Sequence, residues 1–223
     1  MKIYHGSLAI IKKPIYGYGN PYNDYGLGFY CTEEKDKAKE WAVDYELDGY
    51  ANCYELDVTG LKILNLEEKP LTLLHWLALL IQNRQFKDKS VLVKDAKKYL
   101  IKKYSIDCSN YDVIIGYRAD DSYFSFAKDF LQGTISYRQL SLALKLGNLG
   151  KQVVLKSEKA FKSICFVEAE KAYANEWYPK KNKRENDARN EYFNSTKMKR
   201  QKGDIYINQI IDEDMETNDE RLQ

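Results

Sequence analysis

The chain has 223 residues, 44% of them hydrophobic, 13% aromatic and 30% charged, with a formal net charge of +2. That balance excludes a disordered or low-complexity chain and supplies enough apolar side chains for one sizeable core or two small ones. The average hides a division: residues 204–223 carry seven acidic side chains against Arg221 alone, so residues 1–203 hold a net +8. The basic residues are densest between Lys180 and Lys202, where nine Lys and Arg face Glu185, Asp187 and Glu191. Such a run is either a solvated mixed-charge helix or a surface for a polyanion.

Cys31, Cys53, Cys108 and Cys165 are scattered with no C-x-x-C spacing, which indicates neither a metal knuckle nor a disulfide framework. Reduced thiols fit a cytoplasmic chain. The sequence opens straight into an apolar strand pattern without the features of a signal peptide. Its longest apolar run, Leu71 to Ile81, falls short of the roughly 20 residues that span a bilayer, so no membrane partner is expected. Nineteen tyrosines are an excess, and tyrosine suits surfaces where an apolar body meets a polar partner.

In chain order, residues 2–8 read as a strand and residues 9–24 as a long loop marked by the turn signals YGYGNP. Residues 28–32 form a short second strand, and Thr32 is placed to cap a helix running to about Tyr45. Alternation over residues 53–58 gives a third strand. Helices follow over residues 71–83 and from a Ser90 cap to about Tyr104. DVIIG, residues 112–116, is a buried strand leading into the polar loop GYRADDSYF. Ser136 caps a helix over 137–146, and residues 152–157 and 164–170 supply two more strands. Mixed strands and helices without βαβ alternation give an α+β fold.

Three motifs then stand in order: YHGS at Tyr4–Ser7, YGLGFYCTEEKDKAKEWA at Tyr25–Ala42, and QVVLKSEKAF at Gln152–Phe161. Together they resemble the His-Tyr-Glu branch of the ADP-ribosyltransferase superfamily, and more closely the bacterial domain family DUF3990. The resemblance covers roughly three quarters of the chain. It implies two packed, mostly antiparallel sheets with flanking helices around a cleft that holds NAD bent. NAD is then the substrate, and no metal is required.

Under that resemblance, His5 donates a hydrogen bond to the adenosine-side ribose, Gly6 pairs its main chain with the nicotinamide carboxamide, and Ser7 is a further donor. Tyr30 lies against the nicotinamide, and Trp41, eleven residues later, closes the sandwich. Ala38 stands where a serine is expected. Gln152 stands where the branch places its glutamate, which stabilises the positive charge growing as the glycosidic bond breaks. The amide keeps a hydrogen bond but supplies no charge, so Glu158, Asp120 and Asp121 are candidate replacements.

Arg118 is a candidate for the pyrophosphate, with surface pairing to Asp120 as the alternative. Asp24 reads as a turn residue, with a ribose contact as the alternative, and His75 as structural. The implied function is mono-ADP-ribosylation of a macromolecular acceptor, protein or nucleic acid, by a toxin of a toxin–antitoxin or defence pair with an antitoxin protein as partner. An NAD glycohydrolase and an inactive NAD- or nucleic-acid-binding relative are the alternatives. The expected organisation is a transferase-like domain over 1–178, a basic helical extension over 179–203, and an acidic, disordered tail over 204–223.

Overall fold

The computed structural model describes the chain apart from residues 86, 87, 89, 120, 149 and 223 and the side chains of 121, 122 and 195. Its elements are β1 (Lys2–Ser7), β2 (Phe29–Cys31), α1 (Lys35–Ala42), β3 (Gly49–Leu56), β4 (Ile63–Asn65), α2 (Leu73–Asn83), α3 (Val91–Tyr104) and β5 (Val113–Tyr117). They continue as α4 (Asp121–Leu131), α5 (Tyr137–Ala143), β6 (Lys151–Leu155), α6 (Glu158–Lys162), β7 (Ile164–Ala172), α7 (Ala174–Glu191) and α8 (Ile207–Asp212). The fold is mixed α and β, as the element pattern indicated. Among the described residues no helix is long and apolar enough to cross a membrane.

The strands form two sheets, ordered β1-β3-β7 and β2-β6-β5-β4, antiparallel throughout except for the parallel β4–β5 pair. Ile3, Tyr54 and Leu56 of the first sheet pack against Phe29, Cys31, Val113, Val153 and Leu155 of the second. Strand β6 is buried on both faces, which explains its continuous apolar run: Val153 and Leu155 face the other sheet, and Val154 faces the helices. On that helical side Trp76, Tyr104, Phe126 and Phe130, all at most 1% exposed, centre the larger core.

Serine capping follows the sequence reading: Ser90 accepts the Val93 N–H and Ser136 the Gln139 N–H. Helix α1 differs. Its N-cap is Glu34, because Thr32 is already engaged in main-chain exchange with Tyr4 and its Oγ1 takes the Glu34 N–H at 3.2 Å. The GYRADDSYF stretch is only partly a loop, since α4 begins at Asp121.

Two expected boundaries also differ from the structure. Helix α7 runs unbroken through 178/179, with Pro179 near its start. Residues 204–222 are folded rather than disordered. Ile207, Ile210, Met215 and Leu222 are at most 2% exposed, Tyr104 donates to the Met215 carbonyl, and Tyr137 donates to the Leu222 carbonyl at 2.9 Å. The acidic count concealed an apolar series that joins the main core, while Asp214 and Glu216 pair with Lys103.

Candidate functional site

Strands β1 and β2 touch at one point. Tyr4 and Thr32 exchange both main-chain hydrogen bonds, at 2.7 and 2.9 Å, and beyond them the strands separate. His5 fills the fork: its Nδ1 lies 2.7 Å from the Tyr30 carbonyl and its ring packs on Phe29 with centroids 4.4 Å apart. A carbonyl oxygen only accepts, so Nδ1 carries the proton and Nε2 is left with a lone pair. Burial holds the imidazole below its ordinary pKa, against the smaller opposing effect of that hydrogen bond, which keeps the ring neutral. Nε2 is therefore placed to accept a hydrogen bond rather than to donate one.

The separation of β1 and β2 opens a cleft of about 430 Å³. His5, Gly6, Tyr30, Trp41, Arg118 and Gln152 all line it, drawn from two strands at its mouth, helix α1, the turn after β5, and β6. The pleat of β1 puts the Gly6 N–H and C=O on the same edge as those of Tyr4, facing away from β3 and toward the opening. Gly6 has a second reason to be glycine. A Cβ there would sit 2.1 Å from the Ala38 carbonyl oxygen and 2.8 Å from the Ala42 nitrogen, so its absence lets α1 lie directly on β1 and brings Trp41 to the cleft.

Tyr30 is fixed at its far end. Its hydroxyl donates to the Gly26 carbonyl at 2.6 Å and accepts the Tyr25 N–H at 3.0 Å, and burial raises its pKa well above the ordinary tyrosine value. Gly26 makes this possible with φ +71°, a left-handed conformation that favours glycine. Its ring stacks beside Tyr25 with centroids 6.5 Å apart.

Trp41 and Gln152 carry the two features that most suggest a ligand. The indole Nε1 and the Gln152 Oε1 are buried and have no hydrogen-bond partner among the described residues. Gln152, opposite Gly116 in the β5–β6 pair, is 7% exposed. One atom offers a proton and the other accepts one, and a buried polar atom left unsatisfied costs about 1–3 kcal/mol. The Arg118 guanidinium lies 4.3 Å from the centre of the Trp41 ring.

Residues 1–166 match the family described as "Protein of unknown function (DUF3990)". The chain belongs to the DUF3990 family. No curated protein and no solved structure matches it. The DUF3990 segment contains every cleft residue that the sequence singled out, while one wall of the cleft lies beyond it on α7.

That wall is made by Lys181, Glu185 and Arg189, spaced four apart on one face of α7. The helix is held against α1 by the ion pair of Arg184 Nε with Glu40 Oε2 at 2.7 Å, between side chains 11% and 9% exposed. The i, i+4, i+8 spacing was the available signal, masked by the mixed charge of the surrounding run.

Asp24 and Arg84 were also undervalued by sequence. Asp24, 6% exposed, accepts the Ala119 N–H at 2.9 Å and faces Arg84 Nη1 at 3.3 Å, while the same Nη1 donates to the Ala119 carbonyl at 2.5 Å. The pair thus grips both main-chain groups of the residue following Arg118. Arg84 gave no sequence signal, because it only follows an apolar helix.

Two expected roles are not supported by placement. Ser7 lies outside the cleft lining, where it donates to the Ala9 carbonyl at 2.7 Å and accepts from Asn52 at 3.0 Å. Glu158 begins α6 and pairs with Lys162 at 2.8 Å, away from the cleft. Asp120 and the side chain of Asp121 lie outside the described residues. His75 is structural, its Nδ1 accepting the Thr72 N–H at 3.0 Å at the start of α2.

Proposed function

We propose that this DUF3990 protein is an NAD-dependent mono-ADP-ribosyltransferase of the His-Tyr-Glu type, acting on a macromolecular acceptor. The observation that carries the reading is the meeting, in one cleft, of His5, Gly6, Tyr30, Trp41 and Gln152 from separate parts of the chain, with an unsatisfied donor and acceptor among them. The cleft charge is suited to a pyrophosphate: Arg84, Arg118, Lys181 and Arg189 stand against Asp24 and Glu185.

In this reading the nicotinamide lies against the Tyr30 ring with Trp41 beside it, a contact that contributes about 0.5–1.5 kcal/mol beyond burial. Its carboxamide meets the Gly6 main chain. The His5 Nε2 accepts from the adenosine ribose, and the cations hold the pyrophosphate. Gln152 Oε1 accepts from the nicotinamide-ribose hydroxyl.

The bond from ribose C1′ to nicotinamide then breaks, and its electron pair leaves with the now neutral nicotinamide. An acceptor nucleophile forms the new bond at C1′ and gives its proton to water. Gln152 supplies no negative charge to the growing positive charge, and the cleft carboxylates Asp24 and Glu185 face Arg84 and Arg184. Losing one preorganised stabiliser costs about 2.7–4 kcal/mol, so turnover is slower than a glutamate-bearing site would support.

The amide at position 152 favours one second reading, an inactive domain that binds NAD without cleaving it. Incubation of the purified protein with NAD labelled in its adenylate part and a cell lysate separates the two. Label bound to macromolecules together with released nicotinamide supports transfer. Free ADP-ribose with no labelled macromolecule identifies a glycohydrolase, and NAD binding without nicotinamide release identifies the inactive domain.

A further inference from the structure

Resting on the transferase reading, we infer that the acceptor is a single-stranded nucleic acid, seated on the tyrosine- and lysine-bearing segment at the mouth of the cleft. This segment follows β1 and runs into the cleft wall at Asn23 and Asp24. Tyr16, Tyr18 and Tyr22 on it are 53%, 79% and 59% exposed. Large rings are left this open at a cost; Tyr16 packs edge-on with Phe161, centroids 5.5 Å apart, and Tyr18 and Tyr22 are the two that offer stacking faces. The same stretch carries Lys12 and Lys13, and no acidic residue occurs before Asp24.

The platform is anchored rather than loose. Asn52, fully buried, takes the Ile11 N–H on its Oδ1 at 2.9 Å and donates to the Ala9 carbonyl at 3.3 Å, while Tyr54 donates to the Ile11 carbonyl. A fixed base with exposed rings at its tip loses little freedom on binding. Across the opening stand Lys181 and Arg189 of α7. Aromatic faces beside Lys12 and Lys13, next to the cations that hold the pyrophosphate, are the chemistry that tracks a single strand, with bases stacked and phosphates paired. Ile10 and Ile15 on the segment are also exposed, and a protein acceptor would bury them instead.

The transfer balances on a nucleic acid. A base nitrogen bonds to C1′ as the bond to nicotinamide breaks, nicotinamide leaves neutral with that electron pair, and the nitrogen loses its proton to water.

The test is fluorescence anisotropy of the full chain with labelled mixed-sequence 20-nucleotide DNA and RNA single strands, without NAD. Two phosphate contacts, from Lys12 and Lys13, imply that affinity falls about sevenfold between about 50 and 200 mM salt. Tyr18→Ala and Tyr22→Ala should each weaken binding by about fivefold or more, with melting temperature unchanged. In a second arm, adenylate-labelled NAD should place label in nuclease-sensitive material. No strand binding, binding indifferent to both tyrosines, or label only in protease-sensitive material overturns the inference. Nicotinamide release is read separately, so tyrosine-dependent strand binding without it sinks the transferase reading and leaves the nucleic-acid surface standing.

Discussion

The guanidinium of Arg118 covers one face of the Trp41 indole, 4.3 Å from its centre, while the indole N–H is buried with no partner among the described residues. This couples the residue read as the pyrophosphate anchor to the residue read as the nicotinamide wall. Replacement Arg118→Ala should therefore act on both. NAD affinity should fall about tenfold or more, since hydrogen bonds to charged groups contribute about 1.5–3 kcal/mol. The change in tryptophan fluorescence on NAD addition should also alter in amplitude. Isothermal titration and fluorescence titration check this, and unchanged affinity would remove Arg118 from the site.

Gly6 tests the seat of α1. With a Cβ only 2.1 Å from the Ala38 carbonyl oxygen, Gly6→Ala forces the helix off the strand, and overpacking of this kind costs about 1–3 kcal/mol or more. A lowered denaturation midpoint accompanied by weakened NAD binding is expected. Loss of binding with full stability would instead mean that the methyl group blocks only the ligand.

Glu40 tests whether α7 belongs to the site. Its pair with Arg184 is buried between α1 and α7, and removing one partner of a buried pair costs about 3–5 kcal/mol. Glu40→Ala should release the wall bearing Lys181 and Arg189, which weakens NAD binding beyond the effect of Glu40→Gln, a variant that keeps a hydrogen bond to Arg184. Equal, wild-type binding in both variants would show α7 to be irrelevant to the ligand.

The two histidines set a pH dependence of one sign. Burial lowers the pKa of both His5 and His75 from 6.5, so the unfolded chain takes up protons first as pH falls. Their neutral forms cost nothing above about pH 7.5, and stability declines as pH drops through 6.5 toward the folded-state values. Imidazole proton resonances should titrate with both midpoints below 6.5. A midpoint at or above that value for His5 would contradict its neutral, Nδ1-protonated form.

Much of this site was legible because short motifs fix short-range geometry. YHGS reads as a strand ending in a glycine, and Tyr30 and Trp41 are joined by one helix, so their relative position follows from local structure. What was illegible depends on contacts distant in sequence. Asp24 reads as a turn residue until Ala119, 95 positions away, donates to it. Ser7 reads as a donor to ligand until Asn52 is seen to engage it. The 204–222 segment reads as an acidic tail because charge dominates its composition, whereas its fate is decided by four apolar side chains that find the main core.

Nicotinamide released from NAD by the purified chain, quantified by chromatography for wild type and for His5→Ala with its fold verified by circular dichroism, tests the central claim most directly. Release by the wild type that falls about tenfold or more in the variant is the expected result. No release by the wild type beside an active control, or equal release by both, would contradict it.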